Sequence, residues 1–113
     1  MLTTNITISK AEKKLIKDKF KETIDIIPGK SKWLMTAFND SATMFFKENE
    51  TEPMAFIEIK LFGSADIEAY DRLTGAITDI VKEVLQISKE RIYVAYQETQ
   101  IWGWNGSNFK RKT

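Results

Sequence analysis

The stretch AFIEIKLFG, residues 55–63, alternates with a period of two. In an extended chain Ala55, Ile57, Ile59 and Leu61 point one way, and Phe56, Glu58, Lys60 and Phe62 point the other. The first side is uniformly apolar and is expected to carry helices. The second has charges in its middle, which does not suit a dry core. Working outward, Ser64 precedes a helical pattern in which Tyr70, Leu73, Ile77, Ile80, Val81 and Val84 form the buried stripe, with Ile67 in the first turn. A polar link, Ser88 to Arg91, leads to a strand over Ile92–Gln97. Upstream, a short strand in the first seven residues precedes a helix opened by Ser9, with Glu12 completing a capping box. Ile16, Phe20, Ile24 and Ile27 make its apolar face, Pro28-Gly29 stops it, and Trp33–Phe38 reads as the next strand. A further short strand is expected over Ala42–Phe46, then a polar turn over Glu48–Pro53.

Strand, helix, strand therefore occurs twice. The expected fold class is α/β (α+β): two βαβ units with right-handed crossovers, giving a four-stranded mixed sheet with two helices on one face. Phe38, Phe56, Phe62 and the Trp102/Trp104 pair are assigned to the open face. So many aromatics imply a covering partner, most simply copies of the same chain. The 113 residues suit one domain, residues 1–113, with 110–113 as a basic tail.

Composition narrows the chemistry. With 17 basic and 16 acidic side chains the formal charge is +1, unlike a dedicated nucleic-acid binder. Cysteine and histidine are absent, which removes disulfides, thiol nucleophiles, Ser-His and Cys-His triads and nearly all transition-metal sites. Any catalysis must use carboxylates, Lys, Tyr or the N-terminal amine. No cofactor and no metal are expected. No signal peptide or membrane-length apolar run is visible, so no membrane partner is expected, and the N-x-S/T triplets at Asn5, Asn39, Asn49 and Asn105 are read as chance. The expected location is the cytosol.

Four segments carry a resemblance: IIPGKSKWLM (26–35), EPMAFIEIKLFG (52–63), ISKERIYVAY (87–96) and WGWNGSNF (102–109). From about Thr4 to Phe109 the chain resembles the macrophage migration inhibitory factor and bacterial phenylpyruvate tautomerase branch of the tautomerase superfamily. That resemblance implies a homotrimer, a barrel of sheets with active sites at subunit interfaces. It implies keto–enol tautomerisation of a small aromatic 2-keto acid such as phenylpyruvate, with an N-terminal proline as general base. Lys30 stands where a lysine holds the substrate carboxylate and lowers the amine pKa. Tyr93 matches a tyrosine reaching in from the neighbouring subunit. Trp102, Trp104 and Phe109 match the apolar lining, and Phe62 borders the site. Each has a plainer role open to it. Lys30 suits a helix C-terminus, Tyr93 suits strand packing, and the tryptophans suit subunit contacts.

The chain departs from the family pattern at its start, Met1-Leu2, where no proline stands. In this alignment it begins about three residues short, and three strand residues span about 10 Å. The amine of Met1 is therefore expected to fall short of the family position, with a looser register as the counter-argument. Ala95 replaces an asparagine found in some members. Three readings stay open: a tautomerase whose native start lies upstream, a non-catalytic trimer binding small keto acids or a protein partner, and an unrelated ferredoxin-like ligand-sensing module.

Overall fold

The computed structural model describes residues 1–30 and 34–109. The chain runs β1 (Leu2–Thr4), α1 (Lys10–Ile24), β2 (Phe38–Asn39), β3 (Ala55–Phe62) and α2 (Ile67–Leu85). A 3₁₀ turn at Lys89–Arg91 leads to β4 (Ile92–Thr99), then to β5 (Gly103–Trp104) and β6 (Ser107–Asn108). The sheet order is β2-β1-β3-β4. β1 and β2 are parallel, β3 and β4 are parallel, and β1 runs antiparallel to β3 with Leu2 opposite Ile57. Two βαβ units are thus joined through β1 and β3, as the strand–helix–strand repeat requires.

Local chemistry explains the element ends. The Ser9 hydroxyl accepts from the Glu12 N–H at 3.1 Å, and the Glu12 carboxylate accepts from the Ser9 N–H at 2.9 Å, which closes the capping box of α1. Ile16, Phe20 and Ile24 on α1 and Leu73, Ile77, Val81 and Leu85 on α2 share one buried core with Ala55, Ile57 and Leu61 of β3, and Ala69 of α2 is also buried. Leu2, Ile16, Leu73, Val81 and Ile87 are each at most 1% exposed. Each such side chain contributes ~1.5–3 kcal/mol on leaving water, so the core lies between the helices and the sheet. Glu58 and Lys60, on the opposite side of β3, are exposed as the alternation demands.

Several expectations need correction. α1 ends at Ile24, not at Pro28, because Ile26 and Ile27 donate to carbonyls three residues back and tighten the last turn. Ile27 remains in the core. The second strand is only Phe38–Asn39, and Trp33 lies outside the described residues. Residues 42–46 form no strand. Ser41 turns left-handed (φ 57°), and the N–H groups of Ser41 and Ala42 bond to the carbonyls of Ile6 and Thr4. Left-handed Lys47 and Glu48 then close a turn between Phe46 and Asn49. Phe38 pairs with the buried Leu2 and packs on the core, so it lies on the helix side of the sheet and not on the open face. Of the expected α2 stripe, Leu73, Ile77 and Val81 are buried while Tyr70, Ile80 and Val84 are half-buried against the core, and Ile67, expected only in the first turn, is 69% exposed. The polar link contains a buried side chain, Arg91, whose guanidinium donates to the carbonyls of Pro53, Asn49 and Glu52. The basic tail also lies outside the described residues.

Candidate functional site

The C-terminal end of β3 gathers most of the residues singled out in the sequence. Gly63 follows Phe62 with φ +90°, a conformation that favours glycine, and its N–H donates to the Thr99 carbonyl. This turns the chain at the point where the Lys30 ammonium arrives. Nζ of Lys30 donates to the Phe62 carbonyl at 3.0 Å. Lys30 is half-buried and forms no ion pair among the described residues. An ammonium has three donors, so this geometry leaves N–H groups for an anion.

The aromatic wall comes from the C-terminal hairpin. Asn105 and Gly106 have φ 52° and 84°, the pair of left-handed residues that a two-residue type I′ turn needs. That turn sets β5 against β6, and the Phe109 N–H closes the base by donating to the Trp102 carbonyl at 2.8 Å. The Phe109 ring lies 5.4 Å from the Phe62 ring and 6.3 Å from that of Trp104. Trp104 is 52% exposed. Lys30, Phe62, Trp102, Trp104 and Phe109 are therefore neighbours through this chain of contacts.

Tyr93 is elsewhere. It pairs with Phe56 on β3, six residues before Phe62 and hence about 20 Å away along the strand. Its ring meets Phe46 edge-on at 5.3 Å and Phe56 at 6.0 Å, yet it is 55% exposed. The Arg91 guanidinium lies 5.3 Å from the centre of the Phe46 ring. Phe46 and Arg91 were not singled out from sequence. The only signal was an arginine in an otherwise exposed link, and its burial depends on carbonyls about 40 positions earlier.

The amine of Met1 donates to the Glu58 carbonyl at 2.7 Å, and Met1 returns the pairing by accepting from the Glu58 N–H. Burial pulls this amine below its ordinary 8.0, the Glu58 carboxylate pushes it back up, and Lys60 pulls it down. Glu58 is four residues from Phe62, about 13 Å along β3, so the amine and Lys30 are held well apart. The tyrosines on the helix side are poor bases. Tyr70 donates to the Glu98 carboxylate, and burial with that bond pushes it up to about 12. Among the described residues no cluster of His, Cys, Asp or Glu could hold a metal ion, and no helix is long and apolar enough to cross a membrane.

The sequence profile of the family described as macrophage migration inhibitory factor (MIF) matches residues 1–110. The chain belongs to the MIF family. No curated protein sequence matches it significantly. Among solved structures it is similar to Leishmania major MIF2, with 25% identity, a TM-score of 0.88, and coverage of 96% of this chain and 93% of that one. It is similar to the macrophage migration inhibitory factor of Toxoplasma gondii at 17% identity and TM-score 0.88, covering 96% and 97%. A fused 4-OT solved as a symmetric trimer shares the fold at 15% identity and TM-score 0.81, covering 95% and 94%. MIF and other tautomerase-superfamily structures thus share this chain's two-helix, four-stranded architecture.

Proposed function

We propose that this MIF-family chain forms a homotrimer that binds small aromatic 2-keto acids of the phenylpyruvate type in pockets shared between subunits, as a keto–enol tautomerase. One observation carries the reading. Lys30 presents its ammonium beside the Phe62–Phe109–Trp104 wall, while Tyr93 stands exposed about 20 Å away along the same strands. In this reading one chain supplies a lysine-and-aromatic half-site and a Tyr93 half-site at opposite ends of β3, and a second copy would bring its Tyr93 to the lysine. The fused 4-OT trimer with this fold supports the assembly. Pt0534, 11% identical at TM-score 0.84, was solved inactivated by 2-oxo-3-pentynoate, itself a 2-oxo acid.

In this site the Lys30 ammonium would pair with the substrate carboxylate, and its attraction is strengthened by apolar surroundings. Trp102, Trp104, Phe62 and Phe109 would hold the aromatic ring. Tyr93 of the neighbouring copy would hydrogen-bond the carbonyl or enol oxygen. The remaining requirement is a base that moves a proton between carbon and oxygen, within about 3 Å of the proton or one water away. An amine at the head of β1 is the family's answer. In this chain the Met1 amine is engaged at Glu58, and that observation favours a second reading, a pocket that binds keto acids without turning them over. No cofactor enters either reading.

Light scattering after gel filtration should give three times the 13.1 kDa chain mass. A monomer at micromolar concentration would remove both the trimer and the shared pocket.

A further inference from the structure

A shallow groove of about 680 Å³ runs between α1 and β2, formed by residues that play no part in the pocket at the end of β3. Its rim is Lys10, Lys13, Lys14 and Lys17, its floor includes Ala11 and Phe38, and no carboxylate lines it. Lysine is a good helix former, but the placement of these charges works against the helix. Lys10 is the first residue after the Ser9 cap, where a cation opposes the positive end of the helix dipole. Lys10 and Lys14 are like charges at i,i+4, as are Lys13 and Lys17, an arrangement that destabilises a helix. Lys13 has Asp40 at 3.2 Å and Lys17 has Asp18 at 3.3 Å, whereas Lys10 and Lys14 make no ion pair among the described residues. Lys14 has Asp18 at i+4 but their charged ends form no ion pair, and Lys10 opposes the dipole without one. Departures from local helix rules without a structural return concentrate at functional positions.

We infer that this groove is a docking site for an acidic peptide segment of a partner protein, one that flanks an apolar anchor with carboxylates. The cationic rim spans about 10 Å from Lys10 to Lys17, enough for two or three carboxylates. The floor of Phe38, Ala11 and lysine methylenes offers the anchor an apolar seat. A polyanion without apolar groups would leave that floor unused. The charge match sets the salt dependence, since exposed pairs weaken as ionic strength rises.

The test uses the whole protein and a fluorescein-labelled EELEFEE peptide, followed by fluorescence anisotropy at 50 and 200 mM salt. Binding should weaken with salt, vanish with QQLQFQQ, and fall well below wild type with EEGEGEE. Lys10→Glu/Lys14→Glu should lose the peptide while melting at an equal or higher temperature, because acids suit the first turns of a helix. Ala11→Glu, on the exposed helix surface, should lose it by placing a carboxylate on the floor. Loss of binding together with a lowered melting temperature in both variants would assign these residues to folding and overturn the inference. It would equally be overturned by no binding of EELEFEE, by unchanged binding to the double variant, or by equal binding of EEGEGEE. Capture of phosphatidylserine vesicles in place of the peptide would assign the groove to membranes. Self-association abolished by the double variant would assign it to a second copy of the chain.

Discussion

Adding a mature Pro-x-x ahead of Met1 is the sharpest perturbation available. β1 runs antiparallel to β3, with Leu2 opposite Ile57 and Met1 exchanging hydrogen bonds with Glu58. Each residue added upstream therefore advances one position along β3. Three residues carry the amine from Glu58 to the level of Leu61, a shift of about 10 Å. That is the residue before Phe62, whose carbonyl already holds the Lys30 ammonium. The relocated amine should lie near that cation and against the Phe109 wall, and both burial and charge would favour its neutral form. A positioned general base is worth ~10²–10⁴-fold, so the extended protein should exceed the Met1 form in tautomerase rate by that factor. The assay follows the enol absorbance of phenylpyruvate at pH 7, with trimer verified for both forms. Equal rates for the two forms would refute the register argument, since some group already in the chain would then be the base. Ligand binding by both with turnover by neither would establish the non-catalytic reading.

The other expectations are direct. By calorimetry, Lys30→Ala should lose ~1.5–3 kcal/mol of phenylpyruvate affinity, the value of a charge-assisted hydrogen bond, and equal binding would remove Lys30 from the site. Arg91→Ala should cost ~1.5–3 kcal/mol of stability in denaturant unfolding, because it strips the carbonyls of Pro53, Asn49 and Glu52 of their donor; a change below about 0.5 kcal/mol would show that water replaces it. The Met1 amine titrates lower in the folded chain than its ordinary 8.0, so the unfolded chain binds more protons between the two values. Stability from this group should rise as pH rises through that window and level off above 8, and acetylating the amine should flatten the slope.

Much of this protein is written in short-range patterns. The Ser9–Glu12 box, the Ile16–Phe20–Ile24 stripe, the alternation of residues 55–62 and the Asn105-Gly106 turn each involve neighbours within a few positions. Backbone geometry converts such spacing into one face or one turn, so sequence alone determined two helices and a sheet covered on one side. Where a side chain ends up across the fold is another matter. Phe38 looked like an open-face aromatic until its pairing with Leu2 set it on the core side, because β2 is too short to carry a period of its own. Residues 42–46 carry the apolar and aromatic side chains of a strand but leave the sheet after left-handed Ser41. The burial of Arg91, the reach of Lys30 to Phe62 and the placing of Tyr93 at the far end of β3 all depend on partners 30 to 40 residues away. Those contacts are set by how the two βαβ units register through β1 and β3, a long-range pairing that no local periodicity encodes.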